Sequence, residues 1–491
     1  MPSGLSKSST KFFGRNAVEF ETVIGLEIHA QLNTTSKIFC GCESSFGGEP
    51  NTRVCPVCLG LPGTLPALNR QVVEKTILTG LAMSCTIAEK SIFDRKNYFY
   101  ADLPKGYQIS QYELPICRNG HITIHTGTTS KTIGITRVHI EEDPGKMIHD
   151  QDIDSLLDYN RCGTPLIEIV SEPDMRSAEE ACAYGQAVKQ ILEYMGVCDC
   201  NLERGNMRFD VNLSIRQIGQ DTLGTRTEVK NLNSFRALQK AIEYESRRQV
   251  EVVSSGESVV QETLEWDAQK NVTYTLRSKE DAHDYRYFPE PDLVPLLVDQ
   301  SWVEKVKKTM PELPQERFER FISQYGLSSD HARVLTDARP VADYFEETVE
   351  KNADPRMTAN WVMGEVLRIC KEKKVEVTAL RVTPKRLGEL LQLVNDGDIS
   401  AIAAKKILSR IEEDDKEPAA LVDEMGLRQI SDSGALEQTV KAIISRFPDE
   451  VTRFKAGEKK LMAFFMGQAM KATKGKGNPK EIRTLFSKLL V

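Results

Sequence analysis

Between Arg208 and Arg216 the chain reads Arg-Phe-Asp-Val-Asn-Leu-Ser-Ile-Arg, with Arg208, Asp210, Asn212, Ser214 and Arg216 alternating with apolar residues. A strand sends successive side chains to opposite faces, so this run has one apolar face and one lined with charge and hydrogen-bonding groups. The alternation returns in Arg226-Thr227-Glu228-Val229-Lys230 and in Gly25-Leu26-Glu27-Ile28-His29, where Glu27 and His29 share a face. A sheet of such strands is a floor for an anionic, metal-bound ligand.

The 491 residues suffice for two to four domains, and 40% hydrophobic content excludes wholesale disorder. The first twenty residues hold Lys7, Lys11 and Arg15 but no apolar run of signal-peptide length. No run of ~18 apolar residues occurs, so the expected location is cytoplasmic, with no membrane partner. Eleven cysteines without a secretion signal point to thiols or metal ligands rather than a disulfide framework. The net charge of −7 hides a split: residues 440–491 carry twelve Lys or Arg against four acids, a net +8 that leaves −15 upstream. A basic tail on an acidic body points to a polyanionic partner, because phosphate contacts release counterions. A solvated lysine-rich helical surface is the alternative.

Residues 1–18 are expected to form a flexible leader, and 19–296 a strand-rich domain. Within it, Ser177–Met195 predicts a helix capped by Ser177, with Glu179 and Glu180 in its first turn. Phe235–Val253 predicts a second. Strands on both sides of these helices predict an α+β layer with an antiparallel or mixed sheet. Beyond Phe288-Pro289-Glu290-Pro291 the pattern turns helical, predicting a helical domain over 297–410 and a basic helical tail over 411–491.

Cys40-x-Cys42 and Cys55-x-x-Cys58 are two close pairs joined by a loop with Gly47, Gly48 and Pro50. Four thiolates suit a tetrahedral structural zinc site and leave no position for substrate; four reduced, metal-free cysteines are the plainer alternative. Glu168 stands inside Pro165-Leu166-Ile167-Glu168-Ile169-Val170, where an unpaired charge is penalised and a cation is required. Glu141, Glu142 and Asp143 end another strand. Oxygen donors with one imidazole suit Mg²⁺, although each acid taken singly is more often paired with an Arg or Lys than with a metal.

Several runs resemble the B subunit family of the aspartyl/glutamyl-tRNA amidotransferases: Val23–His29, Phe93–Tyr100 with Tyr107–Gln111, Asp158–Glu168, Glu228–Ser234 and Asp284–Asp292. The resemblance runs from about Phe20 to the C-terminus. It implies the sheet cradle of glutamine synthetase and guanido kinases, followed by all-helical domains with a YqeY-like, tRNA-binding tail. It implies ATP-dependent phosphorylation of the side-chain carboxylate of Glu-tRNA(Gln) or Asp-tRNA(Asn), then amidation by ammonia.

The partners it implies are an amidase A subunit, a small C subunit and misacylated tRNA; the cofactors it implies are ATP and Mg²⁺, beside the structural Zn²⁺ expected from the cysteine spacing. The implied Mg²⁺ ligands are Glu27, His29, Glu142 and Glu168, with Glu142, Glu168 and Lys230 as catalytic residues. Strand phase by itself favours Glu141, which shares a face with Arg137 and His139, but a turn at Pro144 can rotate the last residue. Arg208, Asp210, Asn212, Ser214, Glu228 and Asn231 are expected to form the wall for nucleotide phosphates and the aminoacyl end. No Walker A pattern, Ser-Ser-Lys amidase stretch or glutaminase cysteine motif is present, so ammonia would come from another chain. An RNA-binding scaffold would not require Glu168, and a metal-dependent hydrolase would not explain the basic tail.

Overall fold

The computed structural model describes residues 12–13, 19–148, 154–278, 284–351, 353–429, 433–473 and 476–490. Apart from Phe12 and Phe13, the leader expected over 1–18 lies outside them. The chain divides into two compact units, Met1–Leu313 and Pro314–Val491.

The first unit comprises β1 (Glu19–Gln31), α1 (Arg70–Ala82), β2 (Asp94–Asn97), β3 (Tyr107–Ser110), β4 (Cys117–Thr126), β5 (Thr129–Glu142) and β6 (Pro165–Ser171). It continues through α2 (Ala178–Tyr194), β7 (Met207–Gln217), β8 (Thr227–Leu232), α3 (Phe235–Ser254), β9 (Glu262–Asp267), β10 (Val272–Ser278), β11 (Phe288–Pro289) and α4 (Gln300–Lys307). The main sheet runs β10-β9-β8-β7-β1-β6-β5-β4, extended by Thr86–Ile87 at β4 and by Phe12–Phe13 beside β1. Neighbours are antiparallel except β8 and β9, so the sheet is mixed and the unit is α+β, as the strand pattern predicts.

One face of the sheet is sealed by helices. Ile24, Leu26, Ile28 and Ala30 of β1 are fully buried and share a core with Val72 and Ile77 of α1, Tyr184 and Val188 of α2, and Leu238 and Ala241 of α3. Burying each large side chain contributes about 1.5–3 kcal/mol. Helix α2 begins where its sequence predicts: Ser177 accepts from the Glu180 amide, a cap worth about 1 kcal/mol. Gly185 lets this helix approach the sheet, since a Cβ there would come within 3.1 Å of the Phe209 and Phe235 rings.

The boundary expected at 296 shifts. Val303 and Val306 of α4 belong to the sheet domain's core, because that helix lays its apolar stripe against α1. A second core spans Phe321 to Val422, and a third gathers Leu436, Val440, Phe465, Ile482 and Phe486. Leu421 and Val422, on helix Pro418–Glu424, therefore pack with the middle core, and the break expected after 410 falls beyond them.

Candidate active site

On the face without helices, alternation places the complementary polar residues. The antiparallel register sets His139 of β5, Glu168 of β6, His29 of β1 and Arg208 of β7 side by side on four neighbouring strands. His29 Nε2 lies 3.5 Å from Glu168 Oε2 and 3.6 Å from Glu141 Oε1. His139 Nε2 lies 3.5 Å from the same Glu168 oxygen and 3.9 Å from Glu141 Oε2. All four side chains are buried. Among the described residues, the Nδ1 atoms of His29 and His139 have no hydrogen-bond partner.

Two positions along β1, a second group forms from Glu27, Asp210 and Glu228. Lys230 Nζ stands 3.1 Å from Asp210 and 2.9 Å from Glu228, and Asn212 donates to Glu27 at 2.8 Å. The register shifts between Phe209 and Val211, and Asn231 adopts a left-handed φ of 59° there. That bulge turns the Asn231 amide, not its side chain, toward Asp210 at 2.9 Å. Ser214 is paired opposite Val23, beyond Asn212, and joins neither acid group.

Glu142 is not brought to His29 and Glu168. Strand β5 stays extended through Glu142, so the turn at Pro144 rotates nothing and consecutive residues keep opposite faces. Glu141 takes the floor, while the Glu142 carboxylate pairs with Lys105 and accepts from the Ile109 amide at 2.9 Å. Asp143, fully buried, turns a third way: Arg161 grips it bidentately at 2.7 and 2.8 Å, Gln31 donates to it, and Arg208 reaches it at 3.4 Å.

The electrostatics of the floor show a deficit of positive charge. Burial pushes the Glu168 carboxyl up, but His139 and His29 more than offset it and hold it well below the ordinary carboxylate range. Burial and then the Glu168 charge push Glu141 and Glu27 up. Burial drives His139 down to about 3, whereas His29 is raised despite burial by its hydrogen bond with Glu168. Burial opposes the Lys230 ammonium, and Asp210 and Glu228 outweigh it. Carboxylates and imidazoles with unpaired nitrogens are a donor set that fits a hard divalent cation such as Mg²⁺ at His29, Glu141 and Glu168, with Glu27 adjoining.

Strand phase leaves His139 and Lys96 without a role, and the structure places both here. A small sheet ordered β11-β2-β3 carries Lys96, whose ammonium is 4.8 Å from the Tyr285 ring centre and feels the charges of Glu141 and Glu168. Tyr98 and Tyr287 flank it, Tyr287 stacked on Tyr112 at 4.3 Å. The repeated one-residue spacing of Arg137, His139 and Glu141 was the available signal for His139; a lysine whose partners lie on distant strands gives none.

The four cysteines converge as their spacing predicts, with sulfur atoms within 4.8 Å of one another. The Cys40 thiol, ahead of the Cys55 amide and Lys37, holds Cys58 down to about 4, while burial pushes Cys42 up to about 11. Four sulfur donors in one shell fit a structural zinc ion.

A sequence model described as the GatB/GatE catalytic domain matches residues 22–304, and one described as the GatB domain matches 343–490. The B subunit of the aspartyl/glutamyl-tRNA(Asn/Gln) amidotransferase of Thermodesulfovibrio yellowstonii is 52% identical over 473 residues, 96% of this chain and 100% of that protein. The corresponding protein of Geotalea daltonii is 52% identical over 478 residues, 96% and 100% of the two chains. That of Chlorobium chlorochromatii is 50% identical over 473 residues, again 96% and 100%. Similarity at this level along nearly the whole of each relative shows that the chain belongs to the family of amidotransferase B subunits.

Proposed function

We propose that this chain uses ATP to phosphorylate the side-chain carboxylate of Glu-tRNA(Gln) or Asp-tRNA(Asn), and converts the product to Gln-tRNA(Gln) or Asn-tRNA(Asn) with ammonia. The observation that carries this reading is the polar floor on which buried His29, Glu141 and Glu168 meet, with the group of Glu27, Asp210 and Glu228 beside them and Arg208 and Lys230 adjoining. A carboxylate resists ammonia because oxide is a poor leaving group. In the first step a carboxylate oxygen bonds to the γ-phosphorus as the bond to ADP breaks; in the second, ammonia bonds to the acyl carbon and phosphate leaves. The aminoacyl carboxylate is ionised near pH 7, so its attack needs no base.

ATP supplies the phosphoryl group; His29, Glu141 and Glu168, with Glu27 adjoining, would hold Mg²⁺, which would supply positive charge against that group. Arg208 and Lys230 add fixed positive charge at that wall, Arg208 held in place by Asp143 and Lys230 by Asp210 and Glu228. Asn212 and Asn231 brace Glu27 and Asp210. Ammonia comes from glutamine through an amidase A subunit, with a small C subunit completing a cytoplasmic heterotrimer. The basic helical tail binds the tRNA. No helix among the described residues is long and apolar enough to cross a membrane.

The test is reconstitution with the A and C subunits and measurement of Glu-tRNA(Gln) conversion. Glu168→Gln is expected to abolish ATP-dependent amidation while glutamine hydrolysis by the partner persists. Normal amidation by that variant would refute the assignment.

A further inference from the structure

Lys37 is among the largest fully buried side chains of the protein, with 0% of its surface exposed. An ammonium group taken out of water needs a negative partner. Among the described residues Lys37 has no carboxylate ion pair; its nitrogen reaches Cys58 Sγ at 3.6 Å and the Tyr159 carbonyl at 3.5 Å. The acids nearest at hand are engaged elsewhere. A cavity of about 110 Å³ is lined by Lys37, Cys58, Lys105, Glu142 and Asp292. In it the Glu142 carboxylate belongs to Lys105, and Asp292 pairs with Arg95 at 3.2 Å.

We infer that Lys37 is the counter-cation of a tetrathiolate zinc centre formed by Cys40, Cys42, Cys55 and Cys58. The contact of the buried nitrogen with Cys58 Sγ places the ammonium directly against the sulfur cluster. Four thiolates around Zn²⁺ leave a net charge of two minus, and Lys37 cancels half of it from the buried side of the cluster, where Cys58 lies. The chain builds the pairing locally, since the Lys37 amide donates to the Cys42 carbonyl at 2.9 Å and so joins the loop of the first cysteine pair. Lys37 is thus a positioning residue for the metal centre. The inference is independent of the reaction proposed above.

The experiment uses the full chain and zinc alone. Zinc affinity, read by competition with a chromogenic chelator, is expected to fall about 10- to 100-fold in Lys37→Met and to change only a few-fold in Lys37→Arg. Thermal unfolding supplies a second reading. Lys37→Met should lower the Tm of the zinc-loaded protein, yet raise it where all four cysteines are replaced by serine, because there the ammonium has lost its anion. Unchanged zinc affinity in Lys37→Met, or a Tm change of the same sign in both backgrounds, overturns the inference. Should Lys37→Met fail to fold with its cysteines intact, the sign in the serine background decides.

Discussion

The two candidate metal centres lie in the same unit and are assembled in opposite ways. The cysteine site takes all its donors from one loop stretch, Cys40 to Cys58, whose geometry depends on local turns. The histidine–carboxylate site takes its donors from β1, β5 and β6, and exists only because those strands are paired in one register. A one-residue slip of any of these strands would carry its donor to the core face and dismantle the second site, whereas no donor of the first stands on a paired strand. Soft sulfur donors on a loop make a detachable brace; hard donors on a sheet make a site inseparable from the fold.

The sharpest test separates two adjacent residues. Glu141→Gln is expected to cut ATP-dependent amidation by roughly 100- to 1000-fold and to raise the Mg²⁺ concentration needed for half-maximal rate. Glu142→Gln should act on stability instead, by about 3 kcal/mol, because it leaves the buried Lys105 ammonium without its partner. Kinetics across a Mg²⁺ series, with denaturant unfolding of both variants, distinguishes the two effects. A larger Mg²⁺ dependence for Glu142→Gln would break the assignment of the floor.

The same pair marks how far the sequence could be read. Alternation in β1, β7 and β8 was legible because a half-buried strand forces it, and Ser177 announced its helix through a cap. Cys40, Cys42, Cys55 and Cys58 were legible because a chelating loop is short. Glu142, which the resemblance groups with His29 and Glu168, lies apart from them because the strand stays regular to its last residue and keeps its parity. His139 and Lys96 went without a role for a different reason: their partners are set by cross-strand register and by a small sheet above the floor, and pairing between distant strands leaves no local mark. Likewise α4 reads as the start of a helical domain, since nothing in its own residues says which apolar surface it will cover.

Replacing Cys55 and Cys58 together by serine tests the detachable character of the first centre. Zinc content should fall to background, and stability by about 2 kcal/mol, a few degrees in Tm for a domain of this size. Amidation at 25 °C should stay within a few-fold of the parent. A loss as large as that of Glu141→Gln would mean that the loop site shapes the reaction floor and that the contrast between the two centres is false.

The smallest expected effect concerns Asp143, which links the end of β5 to Arg161 and Arg208 through fixed charges. Burial alone would raise its carboxyl, but the two guanidinium groups outweigh burial and hold it below the ordinary aspartate value. Its stabilisation is therefore fully present above the unfolded value, about 3.9, and is lost as the pH falls through the lower folded value. Asp143→Asn should lower unfolding free energy by about 1–2 kcal/mol near neutral pH. That deficit should stay constant down to about pH 5 and close only below about pH 4. Urea unfolding across this range, with and without a chelator, compares the centres directly. Chelation should remove the contribution of the cysteine loop and leave the Asp143 deficit unchanged, because the floor's outer edge is fixed by guanidinium groups of the chain itself.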